Sequence, residues 1–284
     1  MTLKTTFTLS NGVSIPNIGF GTWQIDNGEA AFNAVTDALK TGYRHIDTAN
    51  DYENESSVGE AIRASNIPRG EIFVTSKLPA EEKDVTSAKS SFEQTMKSLD
   101  IDYLDLYLIH APWPWEKMGD DYSEENKKLW KFFEEIYEAG HVRAIGVSNF
   151  NALDVKSIME GCTHIPMVNQ IKFFIGNPQD KTVNYCQNHG ILVEAYSPLS
   201  TGAIFDNEDV LKMAQRYDVS VAQVCVQYIL QKGILPLPKT VNVERMKENL
   251  SGRFSISKDD MKFLDSLKET VPQKFRSKPE TFTV

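Results

Sequence analysis

Eight short apolar runs, set off from one another by stretches of helical period, narrow the folds open to this chain more than any other feature. The runs are NIGFGT near Ile18, YRHID near His45, IFVTSK near Val74, LDLYLIH near Leu106, VRAIGVSN near Ile145, PMVNQ near Val168, ILVEAYS near Val193 and ILPLPK near Leu235. Between them EAAFNAVTDALKTG, SAKSSFEQTMKSLD, LWKFFEEIYEAG and VAQVCVQYILQKG repeat apolar residues at three-to-four spacing, the pattern of helices buried on one face. Ser220 with Gln223 fits a reciprocal helix cap and Gly233 a helix stop, while Asn151 and Gly161 bracket NALDVKSIMEG in the same way. Strand alternating with helix predicts an α/β protein built as a (β/α)8 barrel. An open doubly wound sheet stays as the alternative, because periodicity does not report closure. Ahead of the first run, TFTLSNGVSIP alternates about Asn11 and Gly12 and predicts a β-hairpin with a tight turn. Extra helices are expected in the loops near the C-terminus.

The 284 residues suit such a barrel, which needs roughly 250. No stretch is rich enough in Pro, Gly or Ser to be a linker and no repeat recurs, so a single domain over 1–284 is expected. Thirty basic against 39 acidic residues give a net charge of −9, which argues against nucleic acid or an anionic membrane as the main partner. MTLKTTFTLS lacks the apolar core of a signal peptide and no run reaches membrane-spanning length, so a cytoplasmic protein is expected. A monomer is expected as well. Cys162, Cys186 and Cys225 are odd in number, far apart and outside any CxxC pair, which predicts buried thiols and no metal site.

In a barrel, functional groups gather where the strands end and the βα loops begin. At those places stand Thr22 and Trp23, Asp47, Lys77, His110, Ser148 and Asn149, Gln170, Tyr196 and Ser197, and Lys239. Taken singly, each has a plain explanation: Asp47 as a turn former, Lys77 as a solvated charge, His110 as a satisfied core histidine, Tyr52 as half-exposed packing. Together they make a chemistry. A phenol with an unperturbed pKa of about 10 is a weak acid, a nearby lysine ammonium lowers that value, and an aspartate fixes the lysine. A histidine beside them can hydrogen-bond a carbonyl oxygen while Tyr52 delivers the proton.

GFGTW, HIDTANDYENESSVGEAI, FVTSKL, LYLIHAPWP, IGVSNF, NQIKFF, EAYSPL and LPKTVNVERMKEN, in that order, resemble the aldo-keto reductase family over essentially the whole chain. The resemblance implies a barrel that reduces aldehydes or ketones with NADP(H), through the tetrad Asp47, Tyr52, Lys77 and His110. No GxGxxG follows the first strand, since Gln24 stands where the third glycine belongs. LPKTVNVERMKEN offers a different anion site: Lys239 ends the last strand, Asn242 can cap a helix, and Arg245 lies in its first turn. The resemblance assigns Lys239, Thr240 and Arg245 to the 2′-phosphate, with Val241 beside them and Glu248 and Asn249 near the adenine. It puts Tyr196 against the nicotinamide and Ser148, Asn149 and Gln170 on its carboxamide. Gly21, Thr22, Asp47, Ser197 and Leu199 complete the implied cofactor contacts.

Trp23, Trp113 and Trp115 lie just past strand ends and, with Tyr52 and His110, form the expected pocket for a small-molecule carbonyl substrate. Ala111 stands directly after His110 where many relatives carry tryptophan. The tail ETVPQKFRSKPETFTV is short and polar, ill suited to a long specificity loop. Small aldehydes, ketones or ketoaldehydes are therefore expected in preference to a large steroid. Two rival readings stay open: a lyase whose Lys77 forms a Schiff base, and a cofactor-binding protein on the same fold with little turnover.

Overall fold

Ten strands and ten α-helices follow one another in a computed structural model that describes residues 5–252 and 254–272. An antiparallel hairpin, β1 (Thr6–Thr8) and β2 (Ser14–Pro16), comes first. Then β3 (Phe20–Gly21), β4 (His45–Asp47), β5 (Phe73–Leu78), β6 (Leu106–Ile109), β7 (Ile145–Ser148), β8 (Val168–Lys172), β9 (Leu192–Tyr196) and β10 (Leu235–Leu237) lie side by side and parallel in chain order. Backbone hydrogen bonds close the ring: Gly19 N–H donates to Pro236 O at 3.0 Å and Gly21 N–H to Pro238 O at 3.1 Å. Closure excludes the open sheet. It also explains Gly19, where a Cβ would clash with Leu237 Cδ2 across the seam and stand 2.7 Å from His45 Nδ1 of the neighbouring β4.

The strands are buried on both faces, as parallel strands walled by helices must be. Around them run α1 (Glu29–Thr41), α2 (Glu55–Ala64), α3 (Val85–Leu99), α4 (Ser123–Glu138), α5 (Ala152–Met159) and α6 (Asp180–Asn188). The extra helices sit late in the chain, as expected: α7 (Glu208–Tyr217) and α8 (Val221–Gln231) both fall between β9 and β10, and α9 (Val243–Ser251) and α10 (Lys258–Ser266) follow β10. Both anticipated caps form. The Ser220 hydroxyl accepts from Gln223 N–H at 3.2 Å while Gln223 Oε1 accepts from Ser220 N–H at 3.0 Å, and Asn151 pairs with Asp154 in the same reciprocal way.

Two local expectations change. The hairpin connection runs from Leu9 to Val13, and of Asn11 and Gly12 only Gly12 has positive φ. Asn11 is used for its side chain, which donates to Arg143 O at 2.9 Å and accepts from Val13 N–H at 3.1 Å. The PMVNQ run does not end at Gln170 but continues as β8 to Lys172. That extension sinks Gln170 into the barrel, because alternate residues of a strand share a face and this face points inward. Among the described residues no helix is long and apolar enough to cross a membrane. The polar tail expected after Lys268 lies outside the described residues from position 273 onward; ahead of it, the Thr270 hydroxyl donates to Ile175 O at 2.5 Å and Val271 is buried.

Candidate active site

Inward-facing residues of adjacent strands build the site in layers. His45 Nε2 meets Thr75 Oγ1 at 3.0 Å, and one layer higher Asp47 of β4 meets Lys77 of β5. The lysine is wholly withdrawn from water, a position a charged group holds only if its protons are taken. They are. Lys77 Nζ donates to Asp47 Oδ1 at 2.8 Å, to Thr48 O at 2.8 Å and to the Tyr52 hydroxyl at 3.3 Å, three acceptors for three protons. Tyr52 arrives from a single helical turn, Asn50–Tyr52, just past β4, and Lys77 Nζ also lies 4.9 Å from the centre of its ring. Asn54 steadies this loop by donating to Thr22 O and Ile25 O, both at 3.0 Å, and accepting from Thr48 Oγ1 at 2.8 Å.

Electrostatics correct one expectation. Burial raises the Tyr52 phenol above its ordinary value, and although the Lys77 charge opposes this as anticipated, it does not prevail. The phenol therefore keeps its proton at neutral pH. Lys77 is pulled down by burial but raised on balance by Asp47 and Tyr52, so it stays an ammonium. His110, just past β6, is held below the ordinary histidine value, by burial first and by Lys77 as well, against the pull of Asp51. Its ring stands edge-on to Tyr52, with centroids 5.7 Å apart.

A second set of polar groups surrounds Asp47. Gln170 Nε2 donates to Asp47 Oδ2 and to Glu194 Oε2, both at 2.8 Å, so one amide nitrogen joins two buried carboxyl groups. Glu194 is pushed up to about 8, by burial and then by the Asp47 charge, and its Oε1 is buried without a hydrogen bond. Asn149 Nδ2 donates to His110 O at 2.9 Å and to Ser148 Oγ at 3.1 Å, and its Oδ1 accepts the Tyr196 hydroxyl at 2.8 Å. Ser148 Oγ donates to Gln170 O at 2.9 Å. The expected carboxamide ligands are thus one connected cluster.

The rim is less enclosed. Beyond β9 the backbone of Ser197, Ser200, Thr201 and Gly202 takes positive φ, and Leu199 lies half-buried within that sharp bend. Beyond β10, Lys239 and Arg245 are exposed and make no ion pair among the described residues; Asn242 caps α9 through Arg245 N–H at 3.1 Å. Thr240 Oγ1 accepts from Asn242 N–H at 3.1 Å, and Val241 is open to solvent. Gly21 and Thr22 are buried at the end of β3, where Thr22 Oγ1 donates to Asp47 O at 3.0 Å. Glu248 is half-buried on α9. Asn249 is buried beside Tyr43.

Aromatic rings wall the mouth. Trp115 lies edge-on to His110 and to Trp113, with centroids 5.4 and 5.6 Å apart, and Trp113 is buried while Trp23 is 49% exposed. Lys83 anchors this wall by donating to Ala111 O at 2.8 Å and Asn126 Oδ1 at 3.3 Å, and burial pushes its ammonium down to about 7. Lys83, Asp51 and Glu194 are site residues that sequence reasoning missed. Glu194 alone carried a signal, a carboxylate inside the apolar run ILVEAYS.

A closed (β/α)8 barrel whose strand ends gather Asp47, Tyr52, Lys77 and His110 at one mouth defines the class: a barrel protein equipped for acid–base chemistry. More narrowly, the chain belongs to the aldo/keto reductase family, whose model matches residues 17–269, and it is an oxidoreductase on that ground. Glyoxal reductase of Bacillus subtilis (strain 168) is 40% identical over 93% of this chain and 93% of its own. Glycerol 2-dehydrogenase (NADP(+)) of Saccharomyces cerevisiae is 38% identical over 94% of this chain and 91% of its own. The solved structure of the aldose reductase from Schistosoma japonicum superposes with a TM-score of 0.86 at 34% identity, covering 98% of this chain and 100% of that one.

Proposed function

We propose that the protein reduces small aldehydes, ketones or ketoaldehydes to alcohols with NADPH, Tyr52 giving the proton. The observation that carries the reading is the Lys77 ammonium, buried and shared among Asp47, Thr48 O and the Tyr52 hydroxyl. A phenol that keeps its proton at neutral pH is the right donor, and the neighbouring ammonium stabilises the phenolate left when that proton goes. Hydride is what NADPH supplies when bound. The residues present fit it. Lys239 and Arg245, exposed and unpaired among the described residues at the start of α9, suit a phosphate. Tyr196 offers a ring at the end of β9, and Ser148, Asn149 and Gln170 cluster beneath it. The aromatic wall of Trp113 and Trp115 sheds water around a small carbonyl compound. Relatives named glyoxal reductase and glycerol 2-dehydrogenase (NADP(+)) support both the substrate size and the cofactor.

A Schiff-base lyase is disfavoured because Lys77 keeps its charge and all its protons are engaged, leaving no lone pair for attack. The deciding experiment follows NADPH absorbance while the protein meets a panel of glyoxal-type, aliphatic and aromatic carbonyl compounds. Oxidation of the cofactor in step with alcohol formation is expected. Tight binding of NADPH with no oxidation across the panel would refute the reading, and borohydride trapping of a substrate on Lys77 would replace it with the lyase.

A further inference from the structure

Asp51 sits one residue before Tyr52, in the same turn, and its carboxylate faces the catalytic histidine. Asp51 Oδ2 lies 3.0 Å from His110 Nδ1, in a bent approach, since this buried nitrogen makes no aligned hydrogen bond among the described residues. The carboxylate is held from other sides too, by the Trp115 side chain and the Ala80 backbone N–H. Burial alone would raise its carboxyl, but these contacts and His110 together keep it below the ordinary carboxylate range, so it is ionised at neutral pH.

An ionised carboxylate only accepts hydrogen bonds, and at 3.0 Å its charge favours a proton over a lone pair on the nitrogen facing it, even in a bent approach. Neutral imidazole has a single N–H. If that proton sits on Nδ1, the opposite nitrogen, Nε2, presents a lone pair to the cleft and cannot donate to a carbonyl oxygen. We propose that Asp51 is a positioning residue that fixes the tautomer of His110, so that the ring binds a carbonyl only as imidazolium and accepts from an alcohol hydroxyl when neutral. This inference rests on the carbonyl-reductase reading and deepens it: one ring favours reduction when doubly protonated and alcohol oxidation when neutral.

The charges facing His110 come from three elements: Asp51 and Tyr52 from the turn, Asp47 from β4 and Lys77 from β5. Asp51 and Asp47 favour the imidazolium, whereas burial and Lys77 oppose it. Reduction should therefore be strongest on the acid side of the His110 titration and fall about tenfold per pH unit above it. Oxidation of the alcohol should rise through the same interval.

The test uses the full-length protein labelled with ¹⁵N-histidine, whose ring nitrogens report tautomer and titration directly. Wild type is compared with Asp51→Asn, which keeps the shape of the side chain, and Asp51→Leu, which removes every polar atom. Neutral wild-type His110 is expected as the Nδ1–H tautomer. The Leu variant should move the proton to Nε2, and the Asn variant should lower the titration by about one pH unit. In parallel, kcat/KM for reduction of a small aldehyde is followed against pH, and its inflection should travel with the nuclear-resonance titration. An Nε2–H tautomer in neutral wild type, or a titration unmoved in both variants, overturns the inference. A reduction profile indifferent to the His110 titration also overturns it, while leaving carbonyl reduction intact. Absence of any reduction beside an Nδ1–H ring would instead refute the reaction, and with it the role assigned to the tautomer.

Discussion

Lys77 Nζ and Asp47 Oδ1 form a 2.8 Å ion pair in the mouth of the barrel with side-chain exposures of 0% and 5%. Such a pair is costly to break, because the partner left behind is a charge without water. Lys77→Met should lower stability by about 3–5 kcal/mol, and adding Asp47→Asn should restore much of it. Urea denaturation of the two proteins decides this; equal stability in both would show that Asp47 does not depend on the lysine. Because the folded-state value of Lys77 is raised, its contribution is complete below the ordinary lysine range and is lost only as pH climbs through the raised value. Lys77 itself therefore adds no pH dependence to wild-type stability below about pH 9.

Tyr52→Phe removes one oxygen and leaves the ring against His110. It should lower kcat by about 10²-fold or more with NADPH affinity nearly unchanged. Turnover close to wild type would show that another group gives the proton.

Glu194 tests the cluster around Asp47. Its folded-state value of about 8 lies above the unfolded carboxyl value of about 4.3, so the folded state holds a proton that the unfolded state releases between them. Wild-type stability should fall as pH rises through that window. Glu194→Gln, which mimics the protonated acid, should match wild type near pH 4 and exceed it near pH 9 by on the order of 5 kcal/mol. Chemical denaturation at the two pH values gives the answer, and a mutant less stable at both would mean that Glu194 is ionised and needed in that state.

Arg245 tests the cofactor. If it contacts a 2′-phosphate, Arg245→Ala should weaken NADPH by about 10- to 100-fold and NADH much less, the range of one charged hydrogen bond. NADPH binding should also fall more steeply with salt than NADH binding. Fluorescence titration of both cofactors at two ionic strengths measures this. Equal losses would show that Arg245 touches a part they share or merely holds α9.

Much of this was legible along the chain because it is encoded locally. Apolar runs and helix period sit in neighbouring residues, so the eight runs, the caps at Asn151 and Ser220 and the places of Asp47 and Lys77 near strand ends could be read directly. The order of motifs also carried the family. Closure could not be read, since it depends on Gly19 and Gly21 meeting Pro236 and Pro238 from the far end of the chain. Gln170 looked like the end of a strand because its polarity broke an apolar run, whereas the barrel interior supplies two carboxyl partners that make its burial tolerable. Asp51 gave no sign that it faces His110, and Lys83 none that it anchors the loop beyond it. The sequence by itself determined the succession of strands and helices and, apart from Gln170, the polar residues near the strand ends, because apolar runs and turn chemistry act between near neighbours. Tertiary structure alone decided the protonation of Tyr52, Glu194 and His110, because desolvation and Coulomb energy depend on distance through space and on the water excluded when remote segments close around a charge.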